Sequence, residues 1–102
     1  MTFMNYTPHT IYLNDGRAFE PCGTIARVSA SFTEAKDDVC EQTFGELIDL
    51  PAPAAGVCYI VSAMVLAAAK AQGRTDCVAP ATGHPLCVRD NGRIVSVPCF
   101  VK

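Results

Sequence analysis

The chain has 102 residues, of which 50% are hydrophobic and 18% are charged, and its formal net charge is −2. This composition excludes an intrinsically disordered chain, and the length suits a single domain over residues 1–102. Proteins that bind DNA or RNA mainly through phosphate contacts carry a basic excess, so the mild acidity argues against a nucleic acid polymer as partner.

Strand signals dominate the first half of the chain. The apolar run 10–13 is followed by Asp15-Gly16, a pair that predicts a hairpin turn. Residues 25–32 alternate between apolar and polar side chains, which is typical of a strand with one solvated face. Residues 39–50 predict a further strand that is interrupted by a bulge at Gly45.

The second half of the chain adds a helix to these strands. The continuous apolar run 57–61 predicts a strand that is covered on both faces. The alanine-rich segment at about 62–72 predicts a helix, and Asn91-Gly92 predicts a second hairpin between the segments 86–89 and 93–101. We therefore predict an α+β fold with one helix and a mostly antiparallel, curved sheet of six or seven short strands.

The apolar stretch 52–69 is near the lower length limit of a membrane span. It contains Pro53 and Gly56 and is rich in alanine, so a strand followed by a buried helix explains it better. The segment 1–16 lacks the basic and apolar regions of a secretory signal. We expect a soluble protein without a membrane partner.

Six cysteines stand among apolar neighbours, which favours reduced, buried thiols over a disulfide framework. Cys77, His84, Cys87 and Cys99 lack the paired C-x₂₋₄-C spacing of structural zinc sites, so we predict no metal. The chain also lacks the phosphate-binding loop, the dinucleotide fingerprint and the zinc-protease motif, and we predict neither a cofactor nor an enzyme.

Several polar residues stand next to predicted strands and turns. Arg27 lies on a strand, Arg74 and Asp76 follow the helix, and Arg89 precedes a turn. Taken singly, each has an ordinary explanation in a solvated strand face, the helix dipole or turn chemistry. Together they allow a site in which the arginines hold an anion while Asp76 or His9 recognises a sugar or an amide.

An ordered set of short motifs covers nearly the whole chain. It comprises Asn5-Tyr6-Thr7-Pro8-His9, Ala26-Arg27-Val28, Leu50-Pro51, Gly56-Val57, Tyr59-Ile60-Val61-Ser62, Arg74, Asp76, Pro80 and Val88-Arg89-Asp90-Asn91-Gly92-Arg93-Ile94-Val95. This set resembles a family of small, mostly uncharacterised proteins from bacteriophages, prophages and actinobacterial genomes. The chain departs from the family pattern by the insertion 81–85 and by its higher cysteine content.

The resemblance implies a phage protein in the host cytoplasm, where many small phage proteins blunt host defence. One hypothesis is a homo-oligomeric antidefence protein that sequesters a nucleotide-derived immune signal without cleaving it. We then expect the three arginines to hold phosphate, His9 and Asp76 to make polar contacts, and Tyr6 or Tyr59 to stack on a base. Because one small domain offers little enclosure, the pockets are expected between subunits.

Two alternatives belong to other functional classes. The first is a protein-binding module that docks onto a host enzyme or a virion component through a strand edge, offered by the Pro51–Pro53 connector and the final strand. The second is a small enzyme that acts on the same kind of nucleotide ligand.

Overall fold

The computed structural model describes residues 1–102 and contains ten short strands and one helix, which confirms the α+β class. In chain order the elements are β1 (Thr2–Asn5), β2 (Ile11–Tyr12), β3 (Ala18–Phe19), β4 (Arg27–Phe32), β5 (Gln42–Ile48), β6 (Val57–Ile60), α1 (Ala63–Ala71), β7 (Cys77–Pro80), β8 (Val88–Asp90), β9 (Arg93–Ser96) and β10 (Phe100–Val101). Four strands form a central sheet in the order β1-β6-β7-β10. The other six form three separate two-stranded hairpins, β2–β3, β4–β5 and β8–β9.

The prediction of a single curved sheet of six or seven strands is wrong, because ten strands form one four-stranded sheet and three separate hairpins. Antiparallel pairing does predominate, in four of the six strand pairs. In the central sheet β1 runs parallel to β6 and β6 runs parallel to β7, and only β10 is antiparallel to its neighbour. The reason for the β6–β7 pairing is the helix, because a chain that leaves one strand through a helix returns parallel to that strand. The β1–β6 pairing joins segments more than fifty residues apart, and no local sequence pattern announces it.

Successive residues of β6 point to opposite faces of the central sheet and enter two separate apolar cores. The helix-side core consists of Tyr6, Ala26, Tyr59, Val61, Val65, Leu66, Ala69, Cys77 and Ala79. The far-side core consists of Ile11, Leu13, Cys58, Ile60, Val78 and Val97, with Phe3, Phe19, Cys87 and Phe100 packed against it. Residues 58–61 are buried, which confirms that both faces of this strand are covered.

Both predicted hairpin turns are present, and so is the bulge. Asn91 and Gly92 have φ angles of 51° and 79°, as the tight turn between β8 and β9 requires. In the β4–β5 pair the register shifts next to Ser29, so that β5 carries one extra residue near Gly45. A side chain at Gly45 would collide with the Ser29 hydroxyl, which explains why glycine suits this position.

The helix α1 lies within the predicted range of about 62–72. Ser62 caps its start, since the Ser62 hydroxyl accepts a hydrogen bond of 3.3 Å from the Val65 N–H. Val65, Leu66, Ala68 and Ala69 form its buried side. Nine residues span only about 14 Å, and no helix of the structure has the length and apolarity needed to cross a membrane.

A buried amide ties the end of β1 to the segments that follow it. The Asn5 Nδ2 donates hydrogen bonds of 2.8 Å to the backbone carbonyls of both His9 and Phe19. Its Oδ1 accepts from the N–H and the hydroxyl of Thr7, at 2.9 and 2.6 Å. The Asn5 side chain is only 2% exposed, so these four bonds satisfy a group that has no water to replace them.

We expect Asn5→Ala to lower the free energy of unfolding by about 3 kcal/mol, because it leaves two carbonyls without their donor. Asn14→Ala is the matched control, since the exposed Asn14 amide also bonds two partners, Leu86 and Ser96. Water replaces those contacts, and we expect a loss of about 1 kcal/mol. Urea denaturation of both variants provides the measurement. Equal losses would contradict the anchoring role of the buried amide.

Candidate ligand-binding site

A groove of about 520 Å³ lies where the three parallel strands of the central sheet begin. It is lined by Met1, Phe3, Val57, Cys58, Thr75, Asp76, Val78, Phe100 and Lys102. Its volume falls within the range of about 300–1,000 Å³ that is usual for small-molecule sites. The lining residues lie on or next to all four strands of the central sheet. The groove therefore forms only when these strands pair.

The apolar part of the groove includes two aromatic rings from the two edge strands of the sheet. Phe3 on β1 and Phe100 on β10 are stacked with their centroids 5.5 Å apart. Phe19 packs edge-on against both rings, at 5.6 and 5.3 Å. These contacts fix the orientation of the rings, so the groove presents a preformed aromatic surface.

The polar part of the groove combines a cation, a hydroxyl and a carboxylate. Lys102 and Thr75 are exposed, and Asp76 is half-buried. The Cys58 thiol also lines the groove, and burial raises its pKa although the nearby Lys102 ammonium acts in the opposite direction. The thiol is therefore protonated at neutral pH, and a protonated thiol is a poor nucleophile.

Asp76 forms a two-pronged ion pair with Arg74. The Arg74 Nε and one of its terminal nitrogens each donate a hydrogen bond of 2.8 Å to a different Asp76 oxygen. The two side chains are only 17% and 15% exposed. Hydrogen bonds from the guanidinium hold the pKa of Asp76 below its usual value, and the same bonds raise the pKa of Arg74.

The same arginine also anchors the connector that leads into β6. Arg74 donates a hydrogen bond of 2.9 Å to the Pro51 carbonyl, and its guanidinium carbon lies 6.0 Å from the centre of the Tyr59 ring. The Tyr59 hydroxyl in turn donates to the Ala52 carbonyl at 3.2 Å. Arg74 thus satisfies protein groups on three sides, and its place in the fold is structural.

The structure brings together only some of the residues predicted for the site. Arg74, Asp76 and Tyr59 are in contact, and Tyr6 packs edge-on against Tyr59 at 5.4 Å. Tyr6 and Tyr59 are 8% and 3% exposed within the helix-side core, and neither lines a groove. Of the seven predicted residues, Asp76 alone lines the 520 Å³ groove.

The remaining predicted residues lie on separate elements. His9 is exposed and lines a smaller groove of about 220 Å³ beside β2 and β9. Arg27 is exposed at the start of β4, and its side chain makes no hydrogen bond within the chain. Arg89 on β8 donates a hydrogen bond of 2.7 Å to the Thr82 carbonyl. Arg27, Arg74 and Arg89 therefore line none of the grooves of the protomer.

Sequence reasoning missed Phe3, Thr75, Phe100 and Lys102 as groove residues. The two phenylalanines are 97 positions apart, and only the long-range strand pairing brings them together. A local signal did exist for the ion pair, because Arg74 and Asp76 carry opposite charges only two residues apart. That spacing places Arg74 and Asp76 within reach of each other.

The prediction that the six cysteines are buried is confirmed for only some of them. Cys58 and Cys77 are buried, and Cys87 is half-buried, but Cys22, Cys40 and Cys99 are exposed, so the prediction is wrong for those three. They stand on loops outside the two cores, where apolar sequence neighbours do not secure burial. Burial raises the pKa of Cys77 to about 11. All six cysteines are free thiols, and no three His, Cys, Asp or Glu side chains come close enough to hold a metal ion.

Comparison of the chain with models of protein families, with curated proteins and with solved structures gave no match in any of the three.

We expect Asp76→Asn to lower the free energy of unfolding by about 2–3 kcal/mol at pH 7, because it leaves the half-buried Arg74 guanidinium without its counter-charge. The folded-state pKa of Asp76 is lowered, so its ionised form stabilises the fold above the unfolded-state pKa. This contribution disappears as the pH falls through the folded-state pKa. The difference between wild type and variant should therefore shrink below about pH 4.

Asp15→Asn is the control for that measurement. Asp15 also bonds an arginine two residues away, Arg17, but both side chains are more than half exposed. Solvent screens such a pair, so we expect a much smaller loss than at Asp76. Denaturation curves from pH 2 to pH 8 compare the two variants, and a pH-independent loss for Asp76→Asn would contradict the ion-pair explanation.

Proposed function

We propose that the protein binds a small nucleotide-derived ligand in the 520 Å³ groove and sequesters it without cleaving it. The observation that carries the proposal is the combination of an aromatic pair, Phe3 and Phe100, with the Lys102 ammonium and the Asp76 carboxylate around one cavity. A nucleotide needs all three: a surface for the base, a cation for phosphate and an acceptor for sugar hydroxyls.

Each group has a distinct role in this proposal. The part of the Phe3–Phe100 pair that lines the groove packs against the base, where aromatic stacking contributes about 1–3 kcal/mol per base. Lys102 pairs with a phosphate oxygen. The Asp76 oxygens each bond Arg74 but keep further lone pairs, which accept hydrogen bonds from ribose hydroxyls beside Thr75.

Sequestration fits the chemistry of this groove better than turnover does. The only thiol in it, Cys58, has a raised pKa and is therefore not the thiolate that nucleophilic attack requires. The Asp76 carboxylate is held by Arg74, and its lowered pKa makes it a weak base. Binding requires neither a nucleophile nor a base.

The biological part of the proposal, a phage antidefence protein acting in the host cytoplasm, rests on the family resemblance of the sequence motifs. Phosphate contacts from Arg27 and Arg89 remain predictions that require several copies to assemble. Both side chains are exposed and available for such contacts.

The alternative of a protein-binding strand edge has less support. The outer edge of β10 is two residues long. In the Pro51–Pro53 connector, Arg74 and Tyr59 already occupy the Pro51 and Ala52 carbonyls. Strand addition depends on free main-chain groups over several residues.

Isothermal titration calorimetry against cyclic oligonucleotides, mononucleotides and ADP-ribose tests the proposal. We expect at least one of these ligands to bind, and Lys102→Gln to weaken its binding about 10- to 100-fold through loss of the charged phosphate contact. Lys36→Gln removes a lysine from the exposed 33–38 turn, away from the groove, and should leave the affinity unchanged.

Three results would contradict the proposal. The first is the absence of binding heat with every ligand of the panel for well-folded protein. The second is an equal effect of Lys36→Gln and Lys102→Gln. The third is a changed ligand peak on chromatography after incubation, which would indicate an enzyme rather than a sequestering protein.

A further inference from the structure

The protomer exposes more surface than its mass requires. Its accessible surface is 6787 Å² for 10.9 kDa, whereas a folded monomer of that mass exposes about 5,600 Å². Its radius of gyration is 15.2 Å, against about 13 Å for a compact domain of this length. The excess of about 1,200 Å² exceeds the roughly 800 Å² that each partner buries in a standard interface.

The β4–β5 hairpin extends past the helix-side core, and most of its residues are exposed. At its base, the facing pair Val28 and Leu47 packs against that core. Further along the same face, Phe44 and Phe32 are 46% and 65% exposed. The apolar face of the hairpin thus continues beyond the core that it covers.

The solvent side of α1 continues this apolar surface. Lys70 is the only charged residue of the helix, which is therefore apolar on nearly all sides. A helix of that composition is typical of a buried position. Met64 is nevertheless 51% exposed, and Ala67 and Ala71 face outward as well.

The hairpin and the helix enclose an apolar groove between them. It measures about 360 Å³ and is lined by Thr43, Phe44, Ala67, Ala68, Ala71 and Gln72, none of which is charged. A 3.1 Å hydrogen bond from the Gln72 Nε2 to the Gly45 carbonyl fixes the hairpin against the helix. The small alanine side chains leave room for a bulky group from outside.

We propose that a second copy of this chain covers the surface formed by Phe32, Phe44, Met64, Ala67 and Ala71, which we call the arm face. Each copy presents an exposed aromatic side chain, Phe32, and the alanine-lined groove of about 360 Å³, which we call the recess. A surface that carries both can pair with itself around a two-fold axis, each Phe32 entering the recess of the other copy. The excess area of the protomer is large enough for a standard interface, in which each partner buries roughly 800 Å².

Sedimentation equilibrium of the full chain between 1 and 100 μM tests this inference. We expect a mass of twice 10.9 kDa at the upper concentrations. Ala67→Arg places a charge in the recess and should raise the dimer dissociation constant at least about 30-fold. Because Ala67 is exposed and arginine is a good helix former, this variant should keep its fold, which circular dichroism checks.

Phe32→Ser should weaken the dimer as Ala67→Arg does. Leu86→Ser is its matched control, because Leu86 is 64% exposed in a loop outside the arm face and Phe32 is 65% exposed. A wild type that stays monomeric at 100 μM would overturn the inference and leave the arm face to a different protein. A dimer that survives Ala67→Arg, or that Leu86→Ser dissociates equally, would also overturn it.

These experiments test the dimer independently of the proposed nucleotide binding. No residue of the arm face lines the 520 Å³ groove. Lys102→Gln should leave the sedimentation mass unchanged.

Discussion

The fold depends on the hydrogen bonds of one buried side chain, Asn5. Its side-chain amide joins the end of β1 to the following loop and to β3. The backbone carbonyl of Asn5 accepts a further hydrogen bond of 2.9 Å from the Cys22 N–H. Because Asn5 uses both of its side-chain polar atoms internally, burial of this polar group is compatible with the apolar surroundings. The β2–β3 hairpin and the edge strand β1 are held together at this point.

This arrangement gives the N-terminal motif Asn5-Tyr6-Thr7-Pro8-His9 a structural role. Asn5 and Thr7 are buried, Tyr6 belongs to the helix-side core, and His9 contributes its backbone carbonyl to the network. The imidazole of His9 takes no part in it. This segment therefore contributes to how the chain is packed, and the proposed ligand contacts come from side chains on other elements.

The central sheet connects this packing to the candidate site. Its helix-side face carries Tyr59, against which Arg74 lies. Its other face carries Cys58 and Val78, which line the groove together with the two phenylalanines. Arg74 and Asp76 immediately precede β7. Arg74 bonds the Pro51 carbonyl of the connector, and Asp76, its ion-pair partner, lines the groove. A change in the ion pair therefore affects both stability and the proposed ligand contacts.

Local chemistry made part of this structure predictable. The turns at Asp15-Gly16 and Asn91-Gly92, the bulge at Gly45 and the cap at Ser62 each depend on a few adjacent residues. The parallel pairing of β1 with β6 depends on contacts between distant segments, so no window of the sequence contained it. The groove was unpredictable for the same reason, because Phe3 and Phe100 come into contact only after the sheet has formed.

The order of strands in the central sheet also constrains how the protein is made. The partner of β1 is β6, which begins at Val57, and β7 and β10 follow only later in the chain. During synthesis β1 therefore lacks its partner in the central sheet while the ribosome adds more than half of the remaining residues. Such high contact order slows folding, and the hairpins β2–β3 and β4–β5 are the structures that a nascent chain can form in the meantime.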